Sequence, residues 1–228
     1  GSGTTYTATF TPTNQGLCEI YVDAGSFTDA VGNANTASDI FTWTYDTIPP
    51  TMEIASNTVT SGTTTNDNPI VLTFTASEAT TDFVVSDIIV TGGTLSGSLA
   101  VDDDNKVYTI NFVPSGDVTC TVNVKADSFT DAAGNGNTAA TEFTWTYDGI
   151  APTMTISSST SSVSLDGKSN ATEVVFVFTS NESTTNFVMD DIATTNGNIT
   201  AFYGSGTTYT ATFTPTNQGL CEIYVDAG

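Results

Sequence analysis

The sequence predicts an all-β protein made of tandem β-sandwich modules, each about 102 residues long. The first observation behind this prediction is internal repetition: residues 1–25 recur letter for letter as residues 204–228. A diverged copy lies between them, in which Tyr108 follows Tyr6 by one module length. A repeat of fixed period indicates one structural unit copied along the chain. Such an arrangement is typical of a rod, stalk or fibre rather than of an enzyme.

The second observation is apolar alternation at a period of two, which predicts strands with one buried face. The aligned sets are Ile70, Leu72 and Phe74; Tyr108, Ile110 and Phe112; Cys120, Val122 and Val124; and Phe143, Trp145 and Tyr147. Turn-forming clusters separate these runs, and no apolar run is long enough to cross a bilayer. About seven short strands in about 100 residues predict an immunoglobulin-like, or fibronectin-III-like, sandwich.

Module boundaries follow from a second repeated segment. The stretch Phe27–Asp46 returns as Phe129–Asp148 with most positions unchanged, and each copy is followed by a proline-bearing joint. Proline fixes φ and extends the residue before it, so these joints predict short, stiff linkers. We therefore expect 1–47 to be the C-terminal half of one module, 48–149 a complete module, and 150–228 a module that lacks its last strand.

Charge narrows the possible partners and chemistries. The chain has 25 acidic residues against three lysines, and it contains no histidine. Nucleic acid and anionic membranes require a positive surface, so both are disfavoured as partners. Without histidine or a phosphate-binding loop the sequence predicts no enzyme. The acidic surface favours either cation binding or simple solubility.

Six acidic residues are candidate calcium ligands at the module joints: Asp29, Asp46, Glu78, Asp131, Asp148 and Glu182. In a seven-strand sandwich the B–C loop, with Glu78, and the F–G loop, with Asp131, meet at the end where the chain enters. The incoming linker adds Asp46, and oxygen ligands from several segments suit a hard cation. The three remaining candidates are the same positions in neighbouring modules. For Asp131 a second interpretation stays open, since Asp in Asp-Ala-Ala-Gly-Asn also caps its own turn.

Cysteine, tryptophan and asparagine give weaker signals. Each module has one cysteine in phase with apolar neighbours, which predicts buried thiols rather than disulfides. Trp43 and Trp145 predict core packing, with a sugar-binding platform as the alternative. Three sequons are candidate glycosylation sites if the organism modifies secreted asparagines: Asn170, Asn181 and Asn198.

Several motifs together resemble a known family. They are S-E-x-x-x-x-F-x-x-x-D-I from Ser77 to Ile88, then T-G-G-T-L, Y-T-x-x-F-x-P, F-T-D-A-A-G-N and W-T-Y-D. This order resembles the bacterial Ig-like repeats strung through large surface adhesins and extracellular fibre proteins. The resemblance implies an extracellular or cell-surface location, with neighbouring modules and other copies in a fibre as partners. It also implies calcium at the joints of some related arrays.

The function expected from these observations is that of an adhesin stalk or a self-assembling fibre. The alternative is a sugar- or protein-binding module that uses its end loops. One departure from the family pattern is the cysteine in each module, where such repeats more often carry an aliphatic residue.

Overall fold

A computed structural model of the chain describes residues 1–227. The chain divides into two compact units, Gly1–Gly149 and Ile150–Gly228. Within the described residues, helix is limited to two 3₁₀ turns, Val85–Asp87 and Met189–Asp191. Neither turn approaches the length or apolar character of a membrane-crossing helix. Strands form everything else that is regular, which confirms the predicted all-β class.

The first unit contains ten strands. They are β1 (Gly16–Ile20), β2 (Phe41–Tyr45), β3 (Met52–Ser56), β4 (Thr64–Thr65), β5 (Ile70–Ala76), β6 (Ile88–Thr91), β7 (Gly93–Val101), β8 (Val107–Pro114), β9 (Val118–Val124) and β10 (Phe143–Tyr147). Strands β1 and β2 form a separate antiparallel pair. The other eight form two four-stranded sheets, in the orders β3-β5-β8-β7 and β4-β10-β9-β6. All neighbouring strands in these sheets are antiparallel except β4 and β10, which are parallel. Two mostly antiparallel four-stranded sheets form a sandwich of the Ig-like kind.

The core of this sandwich comes from the predicted alternating residues. Buried side chains alternate with half-buried or exposed ones along β5, β8 and residues 120–124 of β9. The two inner faces meet through aromatic rings, with Phe112 of one sheet edge-on to Trp145 of the other at 4.8 Å between centroids. Trp145 is 1% exposed, so it packs in the core and offers no platform for a sugar. The sequence interpretation as a core residue therefore holds for Trp145.

The second unit repeats this arrangement with fewer strands. They are β11 (Met154–Ser158), β12 (Val174–Thr184), β13 (Ile192–Thr195), β14 (Gly197–Pro215) and β15 (Glu222–Val225). One sheet has the order β11-β12-β14, and the other consists of β13 and β15 alone. The core is built on Phe178, Ile192, Tyr209 and Ala211.

Cysteine burial departs from the prediction in one module. Cys18 and Cys120 are buried, as predicted, but Cys221 is exposed. The reason is the strand that covers each thiol: Cys18 lies opposite Trp43 on β2, and Cys120 lies opposite Trp145 on β10. No strand of the described residues pairs with Cys221 in this way. Burial of the thiol therefore requires the following strand and not the local sequence alone.

Candidate functional site

Three of the six candidate residues converge in the first unit. One carboxylate oxygen each from Asp46, Glu78 and Asp131 lies within 4.8 Å of the other two. Asp46 directly follows β2, Glu78 follows β5, and Asp131 lies in the F–G loop between β9 and β10. Three segments that are distant in sequence thus place carboxylates at the point where the chain enters the 48–149 sandwich.

Asp131 organises its own loop. Its Oδ1 accepts the backbone N–H groups of Ala133 and Asn135, both at 2.9 Å, and its Oδ2 accepts the Asn135 side-chain amide at 2.8 Å. Burial disfavours the charged form of Asp131, yet these hydrogen bonds outweigh it and lower the pKa of the carboxyl. Three of about four lone-pair directions are used, which leaves one on Oδ2. The turn and site interpretations are therefore compatible.

Asn135 ties the F–G loop to the incoming joint. Its Nδ2 also contacts the backbone carbonyl of Asp46, at 3.3 Å. The sequence interpretation gave Asn135 no role, although a signal was present: Asn33 makes the same side-chain bond to Asp29, at 2.8 Å. The sequence signal for this side-chain bond is an Asp followed four residues later by an Asn, which occurs in both copies of the loop.

Asp82 connects the two loops of the site. Its carboxylate accepts the N–H of Thr130 at 3.0 Å, the Thr130 hydroxyl at 2.8 Å and the Thr80 hydroxyl at 2.7 Å. Burial raises the pKa of Asp82, but the hydrogen bonds from Thr130 and Thr80 together outweigh this effect. The pKa of Asp82 therefore lies below its ordinary value. Asp82 lies in the same loop as Glu78, and Thr130 precedes Asp131. Asp82 therefore fixes the distance between two of the converging carboxylates, a role that sequence pattern alone did not indicate.

Glu78 is the member of the group whose charged form is disfavoured by its surroundings. It is half-buried, and within residues 1–227 its carboxylate accepts no hydrogen bond. Burial raises the pKa of Glu78, and the charges of Asp131 and then Asp46 raise it further, against a smaller opposing effect of Lys106. The site therefore combines like charges with oxygen-only donors. These features fit a hard cation such as Ca²⁺, and the group offers no nitrogen or sulfur ligand for a softer metal.

Comparison with known proteins agrees with this architecture. Residues 46–147 and 148–227 each match the family described as bacterial Ig-like domain. The chain belongs to this family. No curated protein matches the chain significantly.

Among solved structures, the bacterial Ig-like domains of this chain are similar to invasin, whose structure is described as that of a bacterial integrin-binding protein. The two are 16% identical with a TM-score of 0.46. The match covers 92% of this chain and 49% of the invasin chain, so this chain spans about half the length of that protein.

The other three candidate ligands lie in different surroundings. Asp29 is exposed and bonds only within its own loop. Asp148 is half-buried, and its backbone N–H donates to the carbonyl of Thr65 at 3.0 Å. In the second Ig-like domain Glu182 is half-buried, and its Oε1 accepts the side-chain amide of Asn181 at 3.3 Å. Metal binding by all six residues stays a prediction.

The three sequon asparagines lie exposed in the second Ig-like domain: Asn170, Asn181 and Asn198. The Oδ1 of Asn181 accepts the backbone N–H of Thr153 at 2.6 Å, so this side chain also holds the start of the domain against the end of β12. Glycosylation of these residues stays a prediction.

Proposed function

We propose that this chain is a structural segment of an extracellular, surface-anchored adhesin, in which tandem Ig-like domains act as a spacer. The observation that carries the proposal is the repetition of Ig-like β-sandwich domains along the chain. Domains in a tandem array behave quasi-one-dimensionally, each touching mainly its neighbours. A formal net charge of −22 keeps such chains apart from one another and from anionic surfaces.

The internal bonding of the F–G loop favours the spacer over a sugar- or protein-binding module. Recurrence of this loop in two copies would suit a ligand-binding surface. However, its defining residues bond within the protein, Asp131 to Asn135 and Thr130 to Asp82. Their repetition is explained by the need to build the loop and attach it to the joint.

We further propose that Ca²⁺ binds to Asp46, Glu78 and Asp131 and stiffens this joint. Asp46 belongs to the incoming linker, whereas Glu78 and Asp131 belong to the sandwich. A cation shared by all three would attach the linker to the end of the domain and offset the repulsion that raises the pKa of Glu78. The remaining ligands of a six- to eight-coordinate ion would be water and backbone oxygens.

Thermal unfolding of the full chain tests the metal proposal. With Ca²⁺ at about 100 times its Kd, mass action stabilises the domain by about 2.7 kcal/mol relative to a chelator. Titration with Mg²⁺ serves as the comparison, because the smaller ion demands a stricter octahedral geometry. An unchanged Tm across millimolar Ca²⁺ contradicts the calcium site but leaves the spacer proposal standing.

Small-angle scattering tests the spacer itself. The chain is compared with a longer one that carries an additional copy of residues 48–149. A spacer predicts that the maximum dimension grows by about one domain length for the added copy. An unchanged maximum dimension, with the added domain packed alongside the others, contradicts the spacer.

A further inference from the structure

The F–G loop of the 48–149 sandwich contains an Asn-Gly step, Asn135-Gly136. An asparagine followed by glycine is prone to cyclisation. The backbone nitrogen of the next residue attacks the side-chain amide, and glycine has no Cβ to hinder this approach. In the earlier copy of the loop the corresponding step is Asn33-Ala34. The two copies therefore differ at the position that controls this reaction.

The structure explains why glycine occupies position 136. A Cβ there would overlap with Oδ1 of Asp127. Asp127 has a φ of 58°, and its counterpart in the earlier copy is Gly25, with a φ of 78°. Gly25 has no side chain that would meet the methyl group of Ala34. The pair Gly25 and Ala34 is thus exchanged for Asp127 and Gly136, because the carboxylate of Asp127 requires a glycine beside it.

The attacking nitrogen of Gly136 is not held by a hydrogen bond. Thr130 and Gly136 form an isolated antiparallel bridge. The hydrogen bonds of this bridge use the carbonyl of Asn135 and the N–H of Asn137, at 3.2 and 3.0 Å. Among residues 1–227 the N–H of Gly136 has no acceptor. Attack by this nitrogen therefore breaks no backbone hydrogen bond of its own.

The side chain of Asn135 is held through its amide nitrogen only. Its Nδ2 donates to Oδ2 of Asp131 at 2.8 Å and to the carbonyl of Asp46 at 3.3 Å. Asn135 is half-buried, and within the described residues its Oδ1 accepts no hydrogen bond. The two Nδ2 bonds must open before the side chain turns towards Gly136. The reaction in the folded chain is therefore slower than in a free peptide.

We propose that Asn135 is a site of spontaneous conversion to aspartate and isoaspartate. The nitrogen of Gly136 forms a bond to Cγ of Asn135, the Cγ–Nδ2 bond breaks, and Nδ2 leaves as ammonia with the proton from Gly136. Water then opens the resulting succinimide. Attack of water at Cγ yields aspartate, and attack at the backbone carbonyl carbon yields isoaspartate. Either product has a carboxylate in place of the amide of Asn135.

The conversion changes the charge at the module joint. Asn135 donates to the same Asp131 that converges with Asp46 and Glu78. A carboxylate at position 135 cannot donate this bond and repels Asp131, and the loop also loses its bond to the carbonyl of Asp46. It adds a fourth carboxylate beside the group, which favours a hard cation. The conversion does not depend on calcium, whereas its effect on metal affinity rests on the calcium part of the proposed function.

Peptide mapping of the full chain, incubated in metal-free buffer, tests the conversion. The matched control is the double variant Asp127→Gly/Gly136→Ala, which restores the residues of the earlier copy and replaces Asn-Gly with Asn-Ala. We expect residue 135 to convert roughly tenfold faster in the unaltered chain, a barrier lower by about 1.4 kcal/mol. Isoaspartate among the products identifies the cyclic route. Mapping by residue separates this reaction from Asn196-Gly197, the other Asn-Gly step of the chain.

Two further controls accompany this measurement. A synthetic peptide of residues 131–139 sets the time scale. In the same digests Asn33, which makes the same bond to Asp29 but precedes alanine, should convert more slowly than Asn135 whether or not the double variant folds. Equal rates at residue 135 in the two chains, or at Asn33 and Asn135, overturn the proposal. So does an Asn135 amide that stays intact for many half-lives of the peptide.

The variant Asn135→Asp fixes one product and tests its effect on the joint. We expect a lower Tm than that of the unaltered chain in chelator, and a larger rise in Tm with Ca²⁺. The matched control Asn33→Asp, in a loop without converging carboxylates, should leave the rise unchanged. An unchanged or smaller rise for Asn135→Asp overturns the effect on metal affinity. No calcium response in any of these chains contradicts the calcium site and leaves the conversion standing.

Discussion

Replacing Glu78 with glutamine should have opposite effects with and without Ca²⁺. Without metal, the substitution removes a charge that two neighbouring carboxylates repel. With metal, the same substitution removes a charged ligand. We therefore expect Glu78→Gln to raise the Tm of the 48–149 sandwich in chelator and to weaken or abolish the Tm rise that Ca²⁺ produces.

The size of the metal-free effect follows from the geometry. The carboxylate oxygens lie within 4.8 Å of one another, and at that limit two unit charges repel by about 0.9 kcal/mol in water and about 3.5 kcal/mol at an effective dielectric constant of about 20. Glu78 is partly exposed, so solvent screening places the gain near the lower value, at about 1 kcal/mol. For a domain of about 100 residues this corresponds to a Tm increase of about 4–8 °C.

Tryptophan fluorescence can follow this domain alone. The chain has two tryptophans, and a Trp43→Phe background leaves Trp145 in the core of the 48–149 sandwich as the reporter. Glu53→Gln, at an exposed position of the same domain, is the matched control and should move the Tm by no more than about 2–4 °C. A Glu78→Gln variant that loses stability in chelator would refute the assigned repulsion.

The raised pKa of Glu78 also gives a pH dependence with a defined sign. The folded state holds the Glu78 proton more tightly than the unfolded state does. The metal-free domain therefore gains stability from this residue as the pH falls through the folded-state pKa towards the lower unfolded-state pKa, and Glu78→Gln removes that gain. Protons should also displace Ca²⁺ at a higher pH than they would from an ordinary glutamate. Unfolding at a series of pH values, with metal and with chelator, measures both effects.

Three further results are expected. Asp131→Asn should abolish the calcium-dependent Tm rise, because it removes one of the three converging carboxylates. Asp29→Asn should leave that Tm rise intact, since its loop has the same internal bonds but no converging carboxylates. An equal loss in both variants would show that the loop and not the carboxylate cluster matters. Asp82→Ala should lower the free energy of unfolding without metal by about 1 kcal/mol, because it removes hydrogen bonds between the two end loops. It should also weaken calcium binding. An unchanged calcium affinity would contradict the positioning role of Asp82. At low protein concentration a thiol reagent should label Cys221 at once but Cys120 only on unfolding. Burial shields the Cys120 thiol and also raises its pKa, which lowers the fraction of reactive thiolate. Labelling of the two cysteines at similar rates would contradict the described packing.

The sequence was sufficient to predict strands β5, β8, β9 and β10 of the complete sandwich. Ile70, Leu72 and Phe74 are 0% exposed, as the alternation predicted, because a side-chain period of two determines which residues face a core. Repetition strengthened this prediction, since a pattern seen in several copies is harder to produce by chance. The family resemblance, stated from the motif order, is confirmed by the two domain matches.

The candidate site was predictable only in part. Loop order in a sandwich suggested that Asp46, Glu78 and Asp131 would meet, and the structure brings them together. The contacts that position them were not predictable, because Asp82 and Asn135 act across loops that are distant in sequence. Side-chain bonds of this kind depend on loop conformations, and local composition does not determine those conformations.

The duplicated segment separates what sequence determines from what tertiary structure decides. Its 25 residues are identical at 1–25 and 204–228. Tyr209 is 4% exposed in β14, which pairs with β12, whereas the identical Tyr6 is 72% exposed and lies outside any strand. The sequence alone determined strand-forming capacity, module period and the acidic character of the surface. The neighbouring strands decided which copies became strands and which side chains were buried, because a strand requires a partner for its backbone hydrogen bonds and an opposing face for its apolar residues.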